Sequence, residues 1–230
     1  MGPGDPELLT LKGLRALREA DEVFVPVGDT GEVGRAEATV REYLDEGRIR
    51  RVLFALSDDA EARERNWTGA AREVSLHLRE GKTCAFATIG DPNVFSTFTY
   101  LARTVRETLP DVAVETVPGI TAMQDLASKS GTVILEGDER LALLRFTAGE
   151  EHLRAALGSF ETVVCYKGGS RMPEVLSAAR QAGRLGGAVY GGRLGIEGEE
   201  IVPAEEMAGR EATYLSAVIF TRKGPDGGDA

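Results

Sequence analysis

Ala87-Thr88-Ile89-Gly90-Asp91-Pro92-Asn93-Val94-Phe95-Ser96-Thr97 is the stretch from which the fold can be read. The run before it, residues 83–89, is apolar and β-branched and predicts a buried strand. It stops at Gly90-Asp91-Pro92, and Phe98, Leu101 and Val105 then recur at helical spacing. A strand that ends in such a turn and passes into a helix places the turn at the strand's carboxyl end, where open α/β sheets bind ligands. Gly90 lets the backbone approach a bound molecule closely, and Pro92 fixes φ and ends the strand. Asp91 at the tip has two readings, a contact to ligand or a plain cap on the turn.

Outward from this loop, strand-like and helix-like segments alternate. Toward the amino end, Thr10 caps a helix whose Leu11, Leu14 and Leu17 share a face, ending near Ala20. A strand over 22–27 follows, then a helix over 32–46 carrying Val33, Ala36, Val40 and Leu44 and closed by Gly47. Residues 51–56 read as a strand, and 58–80 as a charged helix with Trp67, Ala71, Val74 and Leu78 on its apolar face.

Toward the carboxyl end, a strand over 111–117 is broken by Pro118-Gly119, where the domain boundary is expected. A helix over 120–130 carries Met123, Leu126 and Ala127 on one face. Strands over 132–135 and 141–146, a helix over 150–157, a strand over 162–166, a helix over 173–182 and a last strand over 214–222 complete the pattern. The expected organisation is an α/β domain over 1–117, a second over 118–223, and a Gly- and Asp-rich disordered tail over 224–230.

Composition narrows the function classes. The chain has 230 residues, 42% hydrophobic and 28% charged, which suits a globular protein. A formal net charge of −10 is the wrong sign for tracking a phosphate backbone, so no nucleic-acid partner is expected. No apolar run approaches the ~20 residues of a membrane span, so no membrane partner is expected and a cytoplasmic location is. Cys84 and Cys165 lie in apolar strand-like runs and read as structural thiols, without a disulfide or zinc site. His77 and His152 lack further ligands at useful spacing, so no metal is expected. Neither a G-x-G-x-x-G turn nor a Gly-Lys-Ser/Thr loop is present to carry nucleotide phosphates.

Two more loops sharpen the reading: Gly2-Pro3-Gly4-Asp5-Pro6 at the start, and Val117-Pro118-Gly119-Ile120-Thr121-Ala122 near the middle. With Gly90-Asp91-Pro92, in this order and spacing, they resemble the tetrapyrrole (corrin and porphyrin) methylase family over essentially the whole chain. The resemblance implies two α/β domains with mixed sheets and a cofactor and substrate cleft between them. It also implies S-adenosylmethionine as cofactor, a tetrapyrrole substrate and a homodimer. Relatives place a strand directly ahead of the first loop, so the first N-terminal strand is expected to be missing here, as a misassigned start would explain. Phe54 to Asp59, Trp67, Phe95-Ser96-Thr97 and Tyr100-Leu101, with the segment from Glu136 to Leu144, are similar to the branch that methylates precorrin-2, with or without cobalt, at carbon 20. Trp67 and Tyr100 also suit plain core roles.

Backbone groups of Ile89, Gly90, Asp91 and Val94 are the expected cofactor holders, and the resemblance adds Pro3, Phe95, Thr121, Ala122 and Tyr166. Thr121 alternatively caps its helix. Transfer from a sulfonium to an electron-rich carbon needs alignment, water exclusion and a route for one proton rather than a nucleophile or metal. Asp91, Lys167 and Tyr214, at or beside strand ends, are the candidates for handling that proton. Lys167 and Arg193 are candidates for binding substrate carboxylates, each with a plain surface or packing role as the other reading. Because the Debye length is about 8 Å at physiological salt, a locally basic cleft can hold a polycarboxylate despite an acidic exterior. Two other readings stay open: a methylase-fold enzyme with another position or substrate, and a non-catalytic cofactor-binding relative.

Overall fold

The computed structural model describes residues 1–29, 31–54 and 60–222. Most of the phenylalanine-led loop over 54–59 and the tail over 224–230 lie outside the described residues. The chain divides into two compact units, Met1–Thr121 and Ala122–Ala230.

In the first unit Thr10 caps α1 (Leu11–Glu19), its side chain accepting from the Gly13 N–H. β1 (Glu22–Val27) is the central strand of a three-stranded sheet, with β2 (Ile49–Leu53) and β3 (Cys84–Phe86) parallel on either side. Between them run α2 (Arg35–Arg41) and α3 (Ala60–Arg79), and α4 (Phe98–Thr108) follows β3. One face of the sheet packs Val23 and Val25 with Leu17, Ala36 and Val40. The other packs Phe24, Val52 and Phe54 with Ala71 and Val74 of α3 and Leu101 and Val105 of α4. Trp67 of α3 stacks on Tyr100 of α4 at 4.2 Å between ring centroids, on the flank of that core.

Four expectations in this unit need correction. The helix over 32–46 contracts to Arg35–Arg41, with Val33 exposed ahead of it and a tight turn over Glu46–Arg48 behind. The strand over 51–56 is shifted to Ile49–Leu53. Residues 83–89 give only a three-residue strand, and its side chains are half-buried rather than buried. β3 pairs with β1 alone, and an open groove of about 390 Å³ runs along its other side, bounded by residues 112–118. Those residues alternate in exposure as a strand would, yet among the described residues they join no ladder, so the strand expected over 111–117 is extended chain held beside its neighbours by side-chain contacts.

The second unit begins with α5 (Ala122–Ser130) and holds a five-stranded mixed sheet. Its order is β4 (Leu141–Arg145), β5 (Thr162–Tyr166), β8 (Ser216–Thr221), β6 (Val189–Gly192) and β7 (Glu200–Pro203). β4 and β5 are parallel, whereas β8 is antiparallel to both β5 and β6. β5, β6 and β8 are buried along their whole length. α6 (Glu150–Ser159) and α7 (Met172–Gln181) cover one face through Leu153, Leu157, Val175 and Leu176, and α5 covers the other through Leu126 and Ala127. Residues 132–135 are no strand, contrary to expectation, and leave Val133 and Leu135 exposed. A strand needs a neighbour, and among the described residues none pairs with them.

Candidate active site

In the first unit the three loops picked out from the sequence meet. Met1 N donates to the carbonyls of Thr88 (3.3 Å) and Gly90 (2.9 Å), and Gly90 N donates to Gly2 O (3.0 Å). Gly119 closes the junction: a Cβ there would lie 2.2 Å from Gly90 O and 2.5 Å from Met1 O, so no larger residue fits. Asp91 ties the same loops through its side chain, Oδ1 accepting from Asn93 N (2.8 Å) and Oδ2 from Gly119 N (3.0 Å). The first loop is held from behind, since Thr39 Oγ1 donates to Gly4 O and Tyr43 Oη to Pro6 O. Burial pushes the Met1 ammonium below its ordinary value, and the nearby Asp91 carboxylate pulls it back up in part.

Pro3, Ile89, Gly90, Asp91 and Val94 therefore belong to one junction, Pro3 buried within it and the others half-buried. Gly90 has φ of +71°, and a Cβ added to it would meet no atom within 4 Å, so its main chain faces open space. An exposed stretch of main chain of this kind fits a ligand held by backbone groups. Phe95 is 41% exposed and has φ of 48°.

In the second unit, the Tyr166 hydroxyl at the end of β5 accepts from Met123 N (2.8 Å) and so fixes the first turn of α5 beside Ala122. Thr121 stands immediately before that helix. Lys167 follows β5 with φ of 58°, its N–H bonded to Ser216 O and its ammonium 5.9 Å from the centre of the exposed Tyr214 ring. Burial, reinforced by the charge of Arg145, holds the Lys167 ammonium below the usual lysine range. Arg193 is exposed just past β6, two strands away from β5, with φ of 53°. Among the described residues, Phe95, Lys167 and Arg193 are the non-glycine residues with left-handed φ, a strain that concentrates where function requires a fixed side-chain direction.

The sequence marks Pro118-Gly119 as a strand breaker, a domain boundary and part of a family loop, but not as a packing contact, and it does not single out Arg145. Gly119 is essential for contacts that no local pattern encodes. Arg145 read as the interior of an apolar run, yet its buried Nε has no hydrogen-bond partner. The thiols follow their burial: Cys84 is pushed up to about 11 and Cys165 to about 12, which leaves both protonated and unreactive at neutral pH. Among the described residues no group of three His, Cys, Asp or Glu could hold a metal, and no helix is long and apolar enough to cross a membrane.

The family model described as Tetrapyrrole (Corrin/Porphyrin) Methylases matches residues 1–208, and the chain belongs to that family. Among its relatives is the precorrin-2 C(20)-methyltransferase of Sinorhizobium sp., 33% identical over 95% of this chain and 91% of the relative. The cobalt-precorrin-2 C(20)-methyltransferase of Salmonella typhimurium is 30% identical over 96% of this chain and 94% of its own length. Among solved structures, the uroporphyrin-III C-methyltransferase of Thermus thermophilus, complexed with S-adenosylhomocysteine, superposes with a TM-score of 0.66 at 25% identity, covering 96% of this chain and 94% of that one. A cobalt-precorrin-4 methyltransferase shares the fold with a TM-score of 0.71 at 18% identity, covering 96% and 91% of the two chains.

Proposed function

We propose that this chain is an S-adenosylmethionine-dependent methyltransferase that methylates precorrin-2, or its cobalt form, at ring carbon 20 in cobalamin biosynthesis. The observation that carries this reading is the junction of the Gly2, Gly90 and Gly119 loops, which exposes main chain at Gly90 in a chain whose relatives act at that carbon. The cofactor brings the activated methyl group, so the chain's own work is to hold, orient and shield. Main chain at 89–91 and 94 in the first unit holds the cofactor, and Thr121 at the end of that unit and Ala122 and Tyr166 in the second remain further cofactor candidates. Asp91 acts mainly by fixing the loop, because both of its oxygens already accept backbone N–H groups. Lys167 and Tyr214 are then the better placed of the proton-handling candidates, with a lowered ammonium beside a solvent-reaching phenol.

A cytoplasmic location and a homodimeric assembly form part of the same proposal, and a monomer in sedimentation equilibrium would remove the second. The test of the activity is incubation with isotopically labelled cofactor and each ring form, followed by mapping of the labelled carbon by NMR. Label at carbon 20 is the expected product. Label at another ring position would transfer the chain to a different branch of the family, and cofactor binding without transfer would make it a non-catalytic relative.

A further inference from the structure

The first glycine loop is not placed by its own backbone. Residues 1–4 are buried, yet the loop's internal backbone bonds begin only at Asp5 O, which accepts from Leu8 N (3.2 Å), and Pro6 O, which accepts from Leu9 N (3.0 Å). Pro3 and Pro6 have no N–H to offer, and buried carbonyls need partners. Ahead of Asp5 those partners come from distant parts of the chain. Gly2 O accepts from Gly90 N (3.0 Å) in front, and Gly4 O accepts from Thr39 Oγ1 (3.2 Å) behind. Tyr43 Oη adds a second bond to Pro6 O (3.0 Å).

Thr39 and Tyr43 stand one turn apart, on α2 and just past its end, and the sheet seats them. Val40 between them is fully buried against Val23 and Val25 of β1. Glu37, also buried, accepts from Arg51 of β2 at 2.8 and 2.9 Å. Gly34, ahead of the helix, lies so close to β1 that a Cβ would sit 2.9 Å from Pro26 O. Seven residues are too few to stay helical by themselves, so α2 holds its place through these contacts. A continuous line therefore runs from β2 through Glu37 to the two hydroxyls, from them to Gly4 and Pro6, and from Gly2 to the Gly90 amide. The Thr39 hydroxyl has another reading, a back-bond along its own helix, but Arg35 O is the farther acceptor at 3.4 Å. Among the described residues the Tyr43 hydroxyl bonds the loop alone.

We propose that Thr39 and Tyr43 are positioning residues for cofactor binding: their hydroxyls hold the first loop so that Gly2 O keeps the Gly90 amide, and with it the open main chain of that turn, in the orientation that takes the cofactor. This role rests on the methyltransferase reading and adds to it the side chains that set the turn. Losing a brace lowers the fraction of chains whose turn is ready to bind, and the apparent affinity falls with that fraction.

The test uses the full chain, with S-adenosylhomocysteine and precorrin-2 as probes. Thr39→Val and Tyr43→Phe keep the side chain's shape and lose the donor. Each is expected to weaken S-adenosylhomocysteine binding by about fivefold, and to raise the KM for S-adenosylmethionine while kcat at saturating cofactor stays at the wild-type value. Thr39→Ser should recover most of the loss. Affinity for precorrin-2 should not change. Ser159→Ala, which takes a hydroxyl from a helix carbonyl in the second unit, should leave every constant as it is. Hydrogen exchange should show the Gly90 amide losing protection while β1 keeps its own, whereas a merely structural role would lower both. If Thr39→Val does not fold, Tyr43→Phe decides, because its half-buried ring stays in place. Wild-type affinity for S-adenosylhomocysteine in the folded variants, or a kcat that falls at unchanged KM, would overturn the brace and leave the methylase reading intact. A wild-type chain that binds no S-adenosylhomocysteine would overturn both.

Discussion

The two sheets of this protein solve the same problem differently. In the second unit, β5, β8 and β6 are buried end to end between helices on both faces, and the candidate residues sit at strand ends that the sheet itself fixes. In the first unit the sheet has three strands, β3 is short and half-buried, and the stretch 112–118 lies across an open groove without pairing. There the loops hold one another, through Met1, Gly90, Asp91 and Gly119. A site can thus be built on a closed ladder or on a knot of loops, and the second construction should be the more fragile.

The largest effect that would sharpen this contrast is expected from Gly119→Ala. Its new methyl cannot avoid the Gly90 carbonyl, so stability of the first unit should fall by about 4 kcal/mol. Hydrogen exchange should show protection lost at β1 and β3 while β5 and β8 keep theirs. Equal loss in both units would break the contrast.

Glu37→Ala comes next. Glu37 is 2% exposed and accepts from Arg51 at 2.8 and 2.9 Å, with Arg41 at 2.7 Å. Removing it takes a buried acceptor from both Arg51 and Arg41 and should lower stability in chemical denaturation, by less than Gly119→Ala.

The same groups give a pH dependence. Burial favours the neutral acids at Glu22 and Glu37, but Lys82 and Arg50 around Glu22 and Arg51 and Arg41 around Glu37 outweigh it, so both carboxyls are held below 4.5. A depressed carboxyl contributes stability above its unfolded value and loses it as pH falls through the folded one. Protection at β1 and β2 should therefore fade as pH falls below 4.5, as pH-resolved exchange would show.

A smaller gain is expected from filling the groove beside β3. An apolar, β-branched extension of five residues fused ahead of Met1 would run parallel to β3 and should raise the melting temperature by about 5 °C. A matching extension with alternate prolines should not, because it lacks the ladder donors. Asp91→Asn should have the mildest effect, about 1 kcal/mol, since one loop-tying acceptor is lost.

Much of this organisation is legible in the sequence, and the failures share one cause. Residues 162–166 are β-branched or aromatic around a cysteine and predict β5 to the residue, because a strand buried on both faces needs no knowledge of its neighbours. Residues 111–117 carry as good a pattern and form no strand, because pairing depends on what lies alongside. The helix over 32–46 shortened because Val33 and Leu44 satisfied the spacing while the glycines at 31 and 34 favoured a turn. Within the site, the loops announced themselves through glycine and proline. Gly119's fit against Gly90 and Met1 did not, since it comes from three distant pieces of chain. Arg145 stayed hidden because a strand's last side chain looks like any other until its partners are known.

Gly90 offers the most direct test, because its position separates binding from folding. An added Cβ there meets no protein atom within 4 Å, so Gly90→Ala should cost only the ~1–2 kcal/mol of a left-handed alanine. Isothermal titration of S-adenosylhomocysteine into this variant should show affinity reduced by at least about tenfold, with the fold retained. Wild-type affinity in a folded Gly90→Ala variant would contradict the claim that main chain at this turn holds the cofactor.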